Sequence, residues 1–189
     1  MDLEALRSEM ERRIPARRFL HVLGVEKQAV LYAKRLGEDV EKAAAAALLH
    51  DVTKCCTDEE HMAIAKKYNV PMTELERKSP KLYHAITGAA VAKHELGITD
   101  EEILQAIYYH TTAKEGMSTL CKIVYLADFT EENRDYEGVE EIRKQVEESF
   151  EGGYLYALEY TIYELMGKKV LIHPQTLAAR NEARMKQMG

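Results

Sequence analysis

The sequence is short of cysteine and proline, has no long apolar run and carries no excess of positive charge. Each shortage removes a class of protein. Three cysteines, Cys55, Cys56 and Cys121, form no CxxC pair in 189 residues. A disulfide framework and a cysteine-rich structural zinc site are therefore not expected. The odd count reads as reduced thiols. Cys55 and Cys56 read first as small, half-buried turn residues, with a soft-metal role as the lesser alternative. No apolar stretch approaches the roughly 20 residues needed to span a bilayer. The opening MDLEALRSEMERR lacks the apolar centre of a signal peptide, so a cytoplasmic location follows by default. The formal net charge of −6 argues against broad binding to a nucleic-acid polymer. A small anionic ligand remains open, because a metal ion can reverse the field of its own site.

The 4 prolines and 10 glycines mostly stand at the edges of periodic segments, which leaves the interiors free to be helical. The pattern predicts a first helix from about Asp2 that stops before Pro15. A second spans about Ala16 to Leu36, with Gly37 as a left-handed cap. The third starts near Asp39 and ends at His50-Asp51. Thr57 with Glu60 makes a capping box for a fourth, ended by Asn69 and Pro71. Ser79-Pro80 opens a fifth that ends at Gly97. Thr99 with Glu102 is read as a further capping box, opening a helix that ends near His110. Ser118 opens the next, ending at Asp128. Later helices are expected over about Glu137–Phe150, Gly153–Met166 and Gln175–Lys186. No strand, repeat or linker is evident. The expected architecture is a single-domain, all-α helical bundle over residues 1–189. Its core covers about residues 17–134, and C-terminal helices over 137–187 pack on it.

Some polar residues stand where this pattern is apolar. His50-Asp51 closes the run AAAAALLHD. Asp128 recurs at four-residue spacing with Leu120 and Val124, and His110 ends the stripe Ile103, Ala106, Ile107. His84 lies among Ala85, Gly88 and Ala89, and His21 sits on the second helix. A lone polar group is costly to bury. Several in one domain suggest a shared purpose, although His21 alone reads as a core histidine and Asp128 alone as a helix-end partner of Arg134. Imidazole with carboxylate is a hard-to-borderline ligand set that suits Fe, Mn, Co or Zn in an open, hydrolytic centre. His61 and His94 lie among charges and read as surface residues, and His173 has no comparable context.

The ordered set of a first His, a His-Asp doublet and a distant Asp resembles the HD-domain metal-dependent phosphohydrolase superfamily. RRFLHVLGVEKQAVLYAKRLG, AALLHDVTK, HAITGAAVAKHELGITDEEILQAIYYHTTAKEGMSTLCKIVYLADFTEENRDYEGVEEIR and HPQTLAARN resemble its bacterial YqeK-type branch. The resemblance covers about Arg17 to Asn181. It implies an HD-domain bundle that cleaves dinucleoside tetraphosphates symmetrically, diadenosine tetraphosphate and water giving two ADP through a metal-activated water. It implies a divalent metal, iron first with Mn, Co or Zn as alternatives, as one ion or two. The ligands carried over are His21, His50, Asp51 and Asp128. Lys54, His84 and His110 take catalytic roles at the phosphate chain, with His84 or His110 as protonated donors or as ligands of a second ion. Thr111, Arg134, Ile172 and Arg180 take nucleotide or phosphate contacts. A homodimer is left open. Two loops depart from the pattern, with Ala113 where Gly is expected and Glu131-Glu132-Asn133-Arg134 where a Glu-Pro-Gly-Arg-like turn is expected. Two other readings stay open: an HD phosphohydrolase of mononucleotides or guanine alarmones, and a nucleotide-sensing module without turnover.

Overall fold

The computed structural model describes residues 2–189, and its regular structure is entirely helical. The helices are α1 Leu3–Arg13, α2 Ala16–Leu36, α3 Val40–Leu49, α4 Asp58–Lys67, α5 Glu74–Arg77 and α6 Tyr83–His94. They continue with α7 Glu101–Tyr109, α8 Thr119–Thr130, α9 Val139–Glu148, α10 Phe150–Gly167 and α11 Pro174–Met188. One 3₁₀ turn, Pro80–Leu82, precedes α6.

Helix α3 is the centre of the bundle. Asp39 caps it by accepting the N–H of Lys42, and every residue from Ala43 to Leu49 is buried. A helix apolar on all sides has to be enclosed. Here α1, α2, α7 and α8 pack against it. The run of alanine methyls lets those neighbours come close. The chain leaves α3 straight into His50 and Asp51, so both lie deep in the bundle, at 0% and 2% exposure. Helices α2 and α8 also pack together, and α6 and α7 pair beside them. One apolar core runs from Leu6 on α1 to Ala183 on α11. Helix α10 packs on α8, α9 and α11. Gly153 permits the α9 contact, because a Cβ there would meet the Val146 backbone at 2.6 Å.

Most boundaries fall where the caps predict. Gly37 is left-handed at φ +72°, and the Thr57–Glu60 capping box is complete. Three details differ. The helix expected from Ser79 begins as the 3₁₀ turn with no side-chain cap at Ser79, and α6 itself starts at Tyr83. Asp100, not Thr99, caps α7, because its carboxylate reaches the N–H groups of Glu102 and Ile103. The short α5, closed by a second capping box between Thr73 and Glu76, went unpredicted. It falls between two prolines, where a single turn leaves too little periodicity to read. No helix among the described residues is long and apolar enough to cross a membrane.

Candidate metal centre

Six buried or half-buried residues converge at one end of α3. His21 comes from α2, and His50 and Asp51 from the end of α3. His84 comes from the first turn of α6, His110 from the end of α7 and Asp128 from the last turn of α8. Asp51 is the hinge of the group. Its Oδ2 lies 3.5 Å from His50 Nε2 and 3.8 Å from His21 Nε2. Its Oδ1 lies 3.4 Å from His84 Nε2 and 3.8 Å from His110 Nε2. Asp128 Oδ1 adds a second carboxylate at 3.1 Å from His21 Nε2 and 3.8 Å from His50 Nε2.

The imidazoles are oriented from behind. His50 Nδ1 is 2.6 Å from the Ala47 carbonyl and His110 Nδ1 is 2.7 Å from the Ile107 carbonyl. A carbonyl only accepts, so these nitrogens donate and each Nε2 presents a lone pair to the cluster. His21 Nδ1 lies 3.1 Å from Glu131 Oε1. The Nε2 atoms of His21 and His50 are buried and make no hydrogen bond. His21 Nε2 is close to Asp128, but the approach lacks hydrogen-bond direction. Two buried lone-pair donors without partners, beside two carboxylates, form a donor set that fits a divalent cation. The donor atoms group as His21–His50–Asp51, His50–His110–Asp128 and Asp51–His84–His110, each within 4.8 Å. The set thus serves one ion or two that share Asp51.

The electrostatics agree with that fit. Burial alone would raise Asp51, but His50, Lys54 and His84 hold it well below the ordinary carboxylate range. Asp128 is likewise held low against burial by His21, Arg134 and His50. Burial pulls His50 down, yet Asp51 and Asp128 outweigh it and leave it raised. Two ionised, enclosed carboxylates demand positive charge. On the other side, burial, His110 and Lys54 push His84 down to about 2. Burial and His50 push His110 to about 4. Both are therefore neutral near pH 7. That direction runs against a protonated donor, because burial beside positive neighbours disfavours a further charge. Neutral imidazoles are lone-pair ligands.

Around this core stand three cations. Lys54 Nζ is 3.0 Å from His84 Nε2 and 3.8 Å from Asp51 Oδ1. Arg134 Nε donates to the Asp128 carbonyl at 2.7 Å, and its guanidinium also pairs with the Asp128 carboxylate. Arg18 Nη1 donates to Asp51 Oδ2 at 3.1 Å. Arg18 escaped the sequence reading, although it precedes His21 by one helical turn and shares its face. Glu131 escaped too. It is buried, holds His21, and accepts from the N–H and side chain of Asn133. Its signal was Gly24, where a Cβ would stand 2.2 Å from Glu131 Oε2.

The remaining predicted residues lie around a cavity of about 410 Å³ beside His84 and Lys54. Thr111 lines it, with a buried hydroxyl that has no hydrogen-bond partner. Leu82, Leu165 and Leu171 supply its apolar wall. Ile172 is half-buried next to that wall. Arg180 is turned to Glu159 Oε1 at 2.6 Å and is not among the lining residues. Ala113, where glycine was expected, keeps a left-handed φ of +54°. A single alanine tolerates that conformation at a cost of about 1–2 kcal/mol. His61 corrects the surface reading. It is 4% exposed, with Nδ1 2.8 Å from Thr87 Oγ1 and its ring edge-on to Tyr83. His94 is exposed and stacks on Tyr68. His173 caps α11 and borders the cavity.

The model of the HD domain matches residues 18–133. The chain belongs to the HD-domain family. A Bacillus subtilis (strain 168) protein named symmetrical bis(5'-nucleosyl)-tetraphosphatase is 35% identical, over 96% of this chain and 97% of its own. A protein of the same name from Halalkalibacterium halodurans is 38% identical over 90% of each chain. The crystal structure of a predicted HD superfamily hydrolase from Clostridium acetobutylicum superposes with a TM-score of 0.93. It covers 98% of both chains at 32% identity. This HD-domain chain holds all six cluster residues described above, with none of them exposed.

Proposed function

We propose that the chain is a symmetrical bis(5'-nucleosyl)-tetraphosphatase, hydrolysing diadenosine tetraphosphate to two ADP. The observation that carries the reading is the buried set of four imidazoles and two ionised carboxylates, flanked by Lys54, Arg18 and Arg134. Near full-length similarity to relatives of that name supports the substrate. His21, His50, Asp51 and Asp128 would hold the first divalent ion, iron by the family resemblance, with Mn, Co or Zn equally suited to two imidazoles and two carboxylates. His84 and His110, with Asp51 Oδ1, would complete a second position. A divalent ion supplies Lewis-acid charge stabilisation and a nucleophile at neutral pH.

The protein's own groups do the rest. Lys54 sits at the mouth of the 410 Å³ cavity, where an ammonium can meet a phosphate oxygen. Arg134, fixed by Asp128, presents a planar fork that suits phosphate. Thr111 offers its unpartnered hydroxyl to the same chain of phosphates. Leu82, Leu165 and Leu171 would enclose a nucleoside, with Ile172 in support. Arg180 would reach a nucleotide only by leaving Glu159. With His84 and His110 pushed down by burial, developing charge on the leaving ADP would fall to Lys54 and the arginines.

Incubation with diadenosine tetraphosphate and Fe²⁺ or Mn²⁺, with products separated by chromatography, tests the reading. ADP is expected as the sole nucleotide product. ATP with AMP, or no turnover, overturns it. The same assay with mononucleotides and guanine alarmones separates the broader HD phosphohydrolase alternative.

A further inference from the structure

On the tetraphosphatase reading, cleavage at the central anhydride bond divides the substrate into two equal nucleoside diphosphates, and each half needs a seat. The 410 Å³ cavity opens from the His84 and Lys54 side. A second cavity of about 730 Å³ opens from the His21 side and shares no lining residue with the first. Both volumes fall within the range of about 300–1,000 Å³ common for small-molecule sites. A smaller third cavity lies beside Asp128. It shares Thr161 and Leu165 with the first, and Arg134 and Tyr136 with the second. The three lie in series around the cluster through these shared residues, an arrangement suited to a long, two-ended ligand.

The second cavity has the chemistry of a polyphosphate seat. Arg17, Arg18 and His21 from the first turns of α2 form one wall, and Arg134, Asp135 and Tyr136 form the other. Arg18 and Arg134 are engaged with Asp51 and Asp128. The exposed Arg17 side chain makes no ion pair or hydrogen bond with any described residue, so its guanidinium is free for an anion. The acidic Glu131 on this wall is turned to His21 and Asn133. Asp135 has no protein partner and suits ribose hydroxyls rather than phosphate. Tyr136 is fixed by its hydroxyl, which donates to the Phe129 carbonyl at 2.9 Å. Its ring lies 5.7 Å from that of Tyr160 and gives an aromatic surface for a base.

We propose that this arginine-lined cavity seats the second nucleoside diphosphate half of the substrate, with Arg17 on its phosphates and Tyr136 against its base. The chain then binds two ADP, one on each side of the cluster. This rests on the tetraphosphatase reading for the substrate, but it can be tested without turnover. Calorimetric titration of ADP into the full Mn²⁺-loaded chain should give two ADP per chain. Arg17→Ala should weaken one of the two sites by about tenfold or more, and Arg17→Glu should leave one. In turnover, Arg17→Ala should raise KM for diadenosine tetraphosphate by a similar factor with kcat near wild type. One ADP in the wild type, or two in Arg17→Glu, overturns the second seat even if the tetraphosphate is hydrolysed. Two ADP in the wild type and one in Arg17→Glu, without hydrolysis, would uphold the two seats and reject the tetraphosphatase reading.

Discussion

The two oxygens of Asp51 face unlike surroundings. On the Oδ2 side, His21 and His50 meet a second carboxylate, Asp128, and both rings are held from behind by Glu131 and the Ala47 carbonyl. On the Oδ1 side, His84 and His110 both face Asp51, and His110 also comes near Asp128. Their Nε2 atoms stand 3.1 Å apart, and Lys54 is beside them. Cation affinity depends on the number of anionic ligands and on how firmly they are fixed. The first side therefore suits a tightly held ion. The second suits a weaker ion or the substrate itself, because Lys54 opposes a cation and favours phosphate. One shared carboxylate couples the two.

Removing that carboxylate breaks both sides at once and should have the largest effect. Asp51→Ala or His50→Ala is expected to reduce bound metal and turnover to background while circular dichroism keeps most of the helix signal. Full metal occupancy with normal turnover in either variant would falsify the shared centre. Substitution on the weaker side separates the two. His84→Ala or His110→Ala should lower kcat by at least the roughly 10–100-fold that follows loss of a ligand's supporting partner, because each removes a lone-pair donor from the Oδ1 side outright. Elemental analysis should still find metal at the first position. Complete metal loss in these variants would show that the two sides are one.

The support behind the ligands should matter less. Glu131→Gln weakens the partner of His21 and is expected to cost about 10–100-fold in metal affinity. Gly24→Ala should act similarly, since its methyl would displace the same carboxylate. Competition with a chelator measures both, and unchanged affinity in the pair would remove Glu131 from the design.

The last contrast is the pH response of the metal-free chain. His84 and His110, and to a lesser degree His61, have folded pKa values below the unfolded value of about 6.5. Below that pH the unfolded chain takes up protons that the folded chain refuses, so their effect is a loss of stability on acidification. His50 is raised and opposes them, with stability present below about pH 6.5 and lost as pH rises through its folded value. The net expectation is a decline from about pH 6.5 towards 4, steeper than one proton, or about 1.4 kcal/mol per pH unit. Denaturant melts across that window check it. A flat profile would mean that the second-side histidines are not held neutral.

Much of this was legible in the chain. Asp39, Thr57 and Gly37 bound helices as their side chains or backbone freedom require. The apolar spacing around His50, His110 and Asp128 marked polar groups in buried places. The alanine run before His50 made α3 small and apolar enough to be enclosed on every face. Local chemistry is enough for such features, because caps and periodicity act over a few residues.

Other features depended on distance through space. Arg18 and Arg17 are equal neighbours in sequence, yet one reaches Asp51 and the other faces open cavity. His61 lies among charged neighbours and reads as surface, but Thr87 and Tyr83 on α6 bury it. Glu131 is one of two adjacent glutamates, and only the packing of α2 against α8, with Gly24 between, turns it to His21. The neutrality of His84 and His110 likewise follows from burial and from each other's positive neighbours. The sequence by itself determined the helices, their ends and the residue types able to hold a cation. The tertiary structure decided which of those residues share one low-dielectric space, because burial, charge coupling and cavity shape are sums over elements far apart in the chain.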